Sequence, residues 1–239
     1  ESPLQEDFLL AGTDDGLLQI TEDGGQNWKR IDQFPGLPST SYVTDVYASR
    51  HDVNTIYISF NNHKYGDFKP YLFKSTDKGN SWSSITNGIP NRDLVWTIVQ
   101  DHVNADLLFA GTEFGMYYSL NGGTSWNKFN RIPTIPIRDL EIQRRENDLV
   151  AASFGRGFFI IDDYTPMRNM TAEVLAKDAH IFPVADALQY NFANSDGRGS
   201  LGHSYFTSPN PTYGAVITYR VNSSLSSKRQ ARMRTEAEK

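Results

Sequence analysis

Three acidic side chains in short turns are the residues of this chain whose types best fit catalysis. Asp14 and Asp15 precede Gly16, and Glu113 lies two residues before Gly115. Two carboxyl groups roughly 5 to 10 Å apart can hydrolyse a glycosidic bond, one as the acid and the other as base or nucleophile. Short acidic side chains also suit an exposed turn before glycine, because they bond to the turn's own backbone. We favour the turn interpretation and retain these three residues as catalytic candidates.

Metal and cofactor motifs are missing from the sequence. The five histidines are scattered, without the H-x-H or H-E-x-x-H spacing of a zinc site. Cysteine is absent, which excludes thiolate ligands, disulfides and cysteine nucleophiles. Neither a glycine-rich phosphate loop nor a dinucleotide fingerprint is present. We therefore expect no metal and no cofactor.

Composition narrows the class of protein and of partner. The formal net charge is −5, with 23 basic and 28 acidic residues, so no basic excess is available to neutralise a phosphate backbone. Nucleic acid is therefore not expected as a partner. No apolar run reaches the length of a membrane span. Short alternating runs rich in aromatic residues, such as TIYISF and GMYYSL, indicate many short strands.

One phrase is written three times in the chain: TEDGGQNW at 21–28, STDKGNSW at 75–82 and SLNGGTSW at 119–126. In each, side-chain oxygens can accept backbone N–H groups of the turn, and glycine can adopt a positive φ. The tryptophan then begins the next strand, where we expect its ring to be buried between neighbouring sheets. We assign a structural role to the members of this phrase, which are Asp23, Trp28, Asp77, Trp82, Asn121 and Trp126.

The phrase recurs at intervals of about 45 to 55 residues, which fits a four-stranded propeller blade. We predict an all-β fold made of about four blades that form part of a larger β-propeller. Blade one, without its innermost strand, has strands near 8–13, 16–22 and 28–32. Blade two has strands near 42–50, 55–61, 70–76 and 82–86, and blade three near 94–101, 106–112, 115–120 and 126–130. Blade four has strands near 137–144, 148–153 and 157–162, with 180–190 as a candidate outer strand.

Topology predicts which loops bind a ligand. In an antiparallel blade, the turns between strands one and two and between strands three and four leave from one face, and the others leave from the opposite face. The repeated phrase joins strands three and four, so we expect the ligand at the opposite face. The longest turn there is the insertion at 61–69, NNHKYGDFK. The predicted binding residues are His63, Lys64, Tyr65, Asp67, Lys69, Phe114 and Arg156.

The phrase S-x-D-x-G-x-S/T-W resembles the Asp-box of bacterial neuraminidase repeat propellers, although Asn121 replaces the usual aspartate in the third copy. The longer stretches GDFKPYLFKSTDKGNSW, AGTEFGMYYSLNGGTSW and DLVAASFGRGFFIIDD resemble the last propeller blades of exported bacterial sortilin-like or glycosyl hydrolase-like repeat proteins. This resemblance covers about residues 8–190. It implies a secreted, periplasmic or cell-surface location, and it transfers no catalytic residue to this chain.

The resemblance implies a binding or scaffold protein that recognises carbohydrate or protein through the loops opposite the Asp-boxes. The alternative is a glycoside hydrolase whose catalytic acids lie partly outside this chain, and a third interpretation is an assembly factor for a membrane complex. We expect the remaining blades to come from the same protein or from another copy. The predicted organisation is propeller blades at 1–192, a linker at 193–208, and the start of a β-sandwich with a charged, solvated tail at 209–239.

Overall fold

A computed structural model describes residues 1–189, 213–222 and 227–237 of the chain. The first two blades are antiparallel sheets of three and four strands. Blade one contains β1 (Leu9–Gly12), β2 (Leu18–Thr21) and β3 (Lys29–Ile31). Blade two contains β4 (Tyr42–Ala48), β5 (Ile56–Asn62), β6 (Asp67–Ser75) and β7 (Ser83–Ser84).

The next two blades are antiparallel sheets of four and three strands. Blade three contains β8 (Val95–Gln100), β9 (Leu108–Thr112), β10 (Gly115–Ser119) and β11 (Asn127–Lys128). Blade four contains β12 (Ile137–Gln143), β13 (Asp148–Ser153) and β14 (Phe158–Ile161). Strands β4, β8 and β12 are the first strands of blades two, three and four, and we call them the leading strands. Strand β8 contacts both β4 and β12. The predicted all-β fold of propeller blades is confirmed.

The core lies between successive blades, because the facing sides of neighbouring sheets pack on each other. Along β5, Ile56, Ile58 and Phe60 join the cluster shared with blade one, whereas Tyr57 joins the cluster shared with blade three. This division follows from the two-residue period of a strand, which sends neighbouring side chains to opposite faces. A strand covered on both faces reads as a continuous apolar run rather than a polar alternation. In β5 the three consecutive apolar residues Ile56, Tyr57 and Ile58 are all buried, so TIYISF is not the alternating run that the sequence indicated.

The three repeated turns share one hydrogen-bond pattern. In the second, the Ser75 hydroxyl donates to Asp77 at 2.7 Å and accepts the Gly79 amide at 2.8 Å. Asp77 accepts the Ser81 amide at 2.8 Å, and Gly79 has a φ of 76° that favours glycine. The first and third turns repeat these bonds, with Asn121 Oδ1 in the place of the carboxylate. Each turn is therefore closed by its own side chains.

The three tryptophans of these turns do not share one environment. Trp126 is buried between blades and donates its indole N–H to the Ile85 carbonyl at 2.6 Å. Trp82 packs against Phe34 of the preceding segment, with ring centroids 5.1 Å apart. Trp28 is 44% exposed, so the prediction of a buried ring is wrong for this residue. Each buried indole packs on the blade before its own, and blade one has no predecessor among the described residues.

Substitution of Asp77 tests the role of the turns through pH. Hydrogen bonds from Ser81 and Ser75 lower the pKa of Asp77 to about 2. A carboxyl whose pKa is depressed on folding stabilises the fold above its unfolded pKa of about 4, and this contribution disappears as the pH falls through about 2. We expect Asp77→Asn to lower the melting temperature at pH 7 and to match the unsubstituted chain near pH 2. The reverse change, Asn121→Asp, serves as the control and should add pH dependence. A loss of melting temperature that stays the same from pH 7 to pH 2 would contradict a stabilising role for the Asp77 carboxylate.

A buried ion pair closes the first compact unit, which spans Glu1–Arg168. Asp101 follows β8, and its side chain is completely buried. It accepts two bonds from the Arg168 guanidinium, at 2.8 and 2.7 Å, and one from the Tyr164 hydroxyl. Arg168 ends the short helix α1 (Thr165–Arg168). These bonds fasten the segment that follows blade four to the edge of blade three.

The second compact unit begins at Asn169. It contains α2 (Ala172–Ala176), β15 (Ala179–Ile181), β16 (Tyr219–Val221) and α3 (Lys228–Ala237). Strand β15 pairs with β16, so the expectation that 180–190 supplies the outer strand of blade four is wrong. The Arg220 guanidinium of β16 donates to the Lys177 carbonyl, which precedes β15, at 3.1 Å. This bond helps to hold β16 beside β15.

The predicted linker at 193–208 lies outside the described residues, and the β-sandwich at 209–239 stays a prediction. The charged tail was expected to be solvated, and the described side chains of α3 are exposed. Within the described ranges, no helix is long and apolar enough to cross a membrane.

Candidate binding site

The two ends of each blade carry different loops. The repeated turns follow β2, β6 and β10, at the end where Ser75 pairs with Ile56 and Ser119 with Leu108. At the opposite end, Asn62 pairs with Asp67 and Thr112 with Gly115. We call this second end the cleft face. The insertion at 61–69 and the turn at Glu113 and Phe114 both lie on it, in the positions that strand topology predicts.

A β-bulge near the start of each leading strand shapes the cleft face. The pairing register shifts between Val43 and Asp45 in β4, between Val95 and Thr97 in β8, and between Ile137 and Asp139 in β12. The extra residues are Thr44, Trp96 and Arg138. A bulge redirects a side chain out of the regular strand alternation and is common beside functional sites. Two of the three extra residues, Trp96 and Arg138, line the same cavity.

This cavity, called the cleft below, lies on the cleft face and has a volume of about 570 Å³. Its volume falls in the range of small-ligand sites, which are mostly apolar with a few oriented polar groups. Two loops from blade two, one turn from blade three and the two bulged strands contribute to its walls. The lining residues are His63, Phe68, Arg92, Leu94, Trp96, Glu113, Phe114 and Arg138.

Three side chains of the cleft, Trp96, Glu113 and Arg138, contact one another. The Trp96 indole N–H donates to Glu113 Oε2 at 2.9 Å. The Arg138 guanidinium carbon lies 3.5 Å from the Trp96 ring centroid, and one of its nitrogens is 3.7 Å from the same carboxylate oxygen. A cation over an indole face is attracted by the negative face of the ring. Glu113 is therefore occupied in holding Trp96 and Arg138 in place.

His63 closes one side of the cleft. Its Nδ1 lies 2.6 Å from Asn61 Oδ1 and 3.0 Å from the Tyr42 hydroxyl. Its ring meets the Trp96 ring edge to face, with centroids 6.0 Å apart. These three contacts fix the orientation of the imidazole. Its other nitrogen, Nε2, has no hydrogen bond from the described part of the chain and is available to a ligand.

A buried aspartate supports the opposite wall. Asp93 is 2% exposed and accepts the Phe114 amide at 3.0 Å and the Tyr117 hydroxyl at 2.9 Å. The Glu113 amide adds a bond to the Leu94 carbonyl at 3.0 Å. The loop that carries Arg92 is thus fastened to the turn that carries Phe114, so both side chains project from a fixed backbone.

Exposed aromatic rings border the cleft. Phe68 and Phe114 are 44% and 45% exposed, although they line the cavity. Tyr65 on the same insertion and Phe154 in the corresponding turn of blade four are 68% and 69% exposed. Large exposed apolar side chains that cluster on one face mark an interaction surface. The turns between the second and third strands of blades two, three and four each carry at least one such ring.

The structure brings together some of the predicted site residues and separates others. His63, Glu113 and Phe114 line the cleft. The rest of the predicted set belongs to the cleft-face turns without lining the cavity: Lys64, Tyr65, Asp67, Lys69 and Arg156. Lys64 lies over the Tyr42 ring at 4.6 Å, and Asp67 accepts the Tyr71 hydroxyl at 2.6 Å.

The acidic candidates Asp15 and Glu113 line two different cavities. Asp14 and Asp15 lie in the turn after β1, where Asp15 accepts the Thr13 hydroxyl. Asp15 lines a different cavity, with Arg30 and Phe34 among its walls. Glu113 is the one carboxylate among the residues that line the cleft. These positions support the turn interpretation of Asp14 and Asp15. Across the described ranges, no cluster of three or more histidine and acidic side chains could hold a metal ion.

Five lining residues were missed from the sequence: Phe68, Arg92, Leu94, Trp96 and Arg138. Trp96 and Arg138 resemble ordinary strand residues, because a bulge leaves no local sequence signal. Arg92 belongs to the loop NGIPNRD, which joins two blades on the predicted ligand face. The location of that loop was the available signal for Arg92.

Comparison with known proteins adds the fold context. No protein-family model and no curated protein sequence matches the chain. An ancestral GH74 enzyme aligns at 19% identity over 64% of this chain and 21% of its own, with a TM-score of 0.51. GH74 from Niastella koreensis aligns at 18% identity over 67% of this chain and 27% of its own, with a TM-score of 0.50. YCF48 bound to D1 peptide aligns at 19% identity over 65% of this chain and 47% of its own, with a TM-score of 0.47.

The chain therefore spans between about a fifth and about a quarter of the length of the two GH74 structures. Structural similarity at this low sequence identity shows a shared fold and does not show a shared activity. The sheets of this chain are blades of a β-propeller, similar to those of GH74 enzymes.

Proposed function

We propose that this chain is a non-catalytic recognition module that binds a polysaccharide along the cleft face of its propeller blades. The observation that carries the proposal is the cleft itself, a cavity of about 570 Å³ lined by aromatic rings and guanidinium groups. A sugar ring presents an apolar face and a polar edge. It can pack on an exposed phenyl or indole ring while its hydroxyls bond to charged side chains at the margin.

The distribution of exposed aromatic rings over three successive blades favours a chain of sugars over a single one. Exposed rings occur at Tyr65 and Phe68 in blade two, at Phe114 in blade three and at Phe154 in blade four. Successive sugar units of an extended glycan can contact successive blades. Carbohydrate is favoured over protein because the cleft combines half-exposed aromatic faces with bonded polar groups already fixed in orientation.

The state of Glu113 argues against hydrolysis at this cleft. Glycoside hydrolysis requires a second carboxyl group at roughly 5 to 10 Å. Among the described residues, no second carboxylate lines the cleft, and Glu113 is engaged by Trp96 and Arg138. The repeated turns, which we take to be Asp-boxes, have a structural role at the other end of the blades. Export to the periplasm, the cell surface or the medium accords with a polysaccharide ligand and forms part of the proposal.

Binding and turnover measured together test this proposal. We expect the full chain to bind one or more polysaccharides of a mixed panel in affinity electrophoresis, with no reducing ends released. Release of reducing ends that Glu113→Gln abolishes would replace the proposal with a glycoside hydrolase. Binding to a peptide array, with no glycan retained, would replace it with protein recognition.

A further inference from the structure

Arg92 differs from the other cation of the cleft in having no partner. It lines the cleft, it is exposed, and within the described residues it makes neither a hydrogen bond nor an ion pair. Arg138, by contrast, is stacked on Trp96 and lies close to Glu113. All five N–H donors of the Arg92 guanidinium are therefore free for a ligand.

The backbone on each side of Arg92 is fixed. The Asp93 amide donates to the Pro90 carbonyl at 3.0 Å, which closes the loop at 90–93. The buried Asp93 carboxylate then holds the neighbouring turn through the Phe114 amide. The fixed backbone removes the backbone share of the entropy cost of binding, and the planar guanidinium loses less freedom for each hydrogen bond than a lysine ammonium does.

Charges around the cleft face favour an anion. Lys64, Lys69 and Arg156 lie in the predicted binding turns, in addition to Arg92 and Arg138. Three acidic groups of the same loops are bonded internally: Glu113 to Trp96 and close to Arg138, Asp67 to the Tyr71 hydroxyl, and the buried Asp93 to the Phe114 amide and the Tyr117 hydroxyl. Among the residues that line the cleft itself, two arginines, Arg92 and Arg138, face one carboxylate, Glu113. A surface of one sign attracts ligands of the opposite sign.

These observations deepen the proposed function and depend on it. We propose that the cleft selects a polysaccharide that carries carboxylates, a uronic-acid polymer. Arg92 binds one carboxylate of that polymer through two parallel N–H···O bonds, while the adjoining sugar ring packs on Phe114. Guanidinium groups match the planar carboxylate in this two-bond geometry, and the resulting charge-assisted bonds are stronger than neutral ones. Arg92 is thereby the residue that sets ligand specificity.

The test compares acidic polymers with neutral versions of the same polymers. Polygalacturonate, alginate and glucuronoxylan are each measured beside their carboxyl-reduced forms, with the full chain and by isothermal calorimetry. We expect at least one acidic form to bind at least tenfold more tightly than its reduced form. Arg92→Gln should abolish that preference, so that the acidic and the reduced form bind with equal affinity, and Arg92→Lys should retain part of it.

Arg145→Gln is the matched control, because it removes the same charge from an exposed side chain in the turn between β12 and β13, at the other end of blade four. It should leave the preference intact. Equal affinity for acidic and reduced forms, or a preference that survives Arg92→Gln, would overturn the carboxylate assignment and leave polysaccharide binding standing. Failure of every polysaccharide to bind would overturn both proposals. Tight binding of polyglutamate without any uronate would point to an acidic peptide and also overturn both.

Discussion

Replacing Trp96 with alanine is expected to weaken polysaccharide binding by about 100-fold or more. The indole contributes the floor of the cleft, holds Glu113 through its N–H, and supports the Arg138 guanidinium at 3.5 Å. Central aromatic residues in binding sites commonly contribute about 2 kcal/mol or more, and about 2.8 kcal/mol corresponds to a 100-fold change. Trp96→Phe should show an intermediate loss, because it keeps a ring beneath Arg138 but removes the donor to Glu113.

Trp28→Ala provides the control for this loss. Trp28 is a tryptophan of the first repeated turn, 44% exposed, at the opposite end of the blades. We expect its removal to leave the affinity within twofold of the unsubstituted chain. Circular dichroism and melting temperature separate lost binding from lost folding. An unchanged affinity in a folded Trp96→Ala protein would exclude the cleft as the binding site.

Replacing Asp101 with alanine is expected to reduce the free energy of unfolding by about 3 to 5 kcal/mol. Removing one member of a buried ion pair has this effect because the remaining charge stays buried without its partner. Asp101 also accepts the amides of Val103 and Asn104, at 3.0 and 2.7 Å, so the substitution leaves further donors unsatisfied. Denaturant unfolding followed by circular dichroism measures the change.

Two comparisons isolate the ion pair in that measurement. Asp106→Ala lies in the same turn at an exposed position and should change stability by less than about 0.5 kcal/mol. The double substitution Asp101→Leu with Arg168→Met removes both charges, and should recover part of the loss because no buried charge is left alone. If Asp101→Ala behaved like Asp106→Ala, the segment after blade four would not depend on this pair.

The blades could be predicted from sequence because their signals are local. Each repeated turn fixes one hairpin through its own side chains, and each strand shows its period in a few residues. The cleft was only partly predictable. Topology predicted the end of the blades at which the cleft lies, and three of the candidate residues, His63, Glu113 and Phe114, line it. Trp96 and Arg138 reach the cleft through bulges, which depend on pairing between strands rather than on the local sequence.

The second compact unit shows the same division between local and distant information. Strand β15 pairs with β16, which lies about 40 residues later in the chain, and the sequence of neither strand indicates that the two pair. The helix α3 was easier to predict from sequence, since its Lys, Arg, Gln, Ala, Met and Glu residues all have high helix propensity. Its charge led to an interpretation as a solvated tail, which describes its exposure but omits the helix.

The indole N–H signals of the four tryptophans provide the most direct test of the central claim, that ligand binds at the face opposite the repeated turns. Trp28, Trp82 and Trp126 belong to those turns, and Trp96 alone of the four lines the cleft. Two-dimensional ¹H–¹⁵N spectra, assigned by single tryptophan-to-phenylalanine substitutions, are recorded as a fragment of a polysaccharide that binds is added stepwise to the protein. We predict that the Trp96 signal shifts with saturation and the other three stay in place. A shift confined to Trp28, Trp82 or Trp126 would place the ligand at the turns and contradict the account.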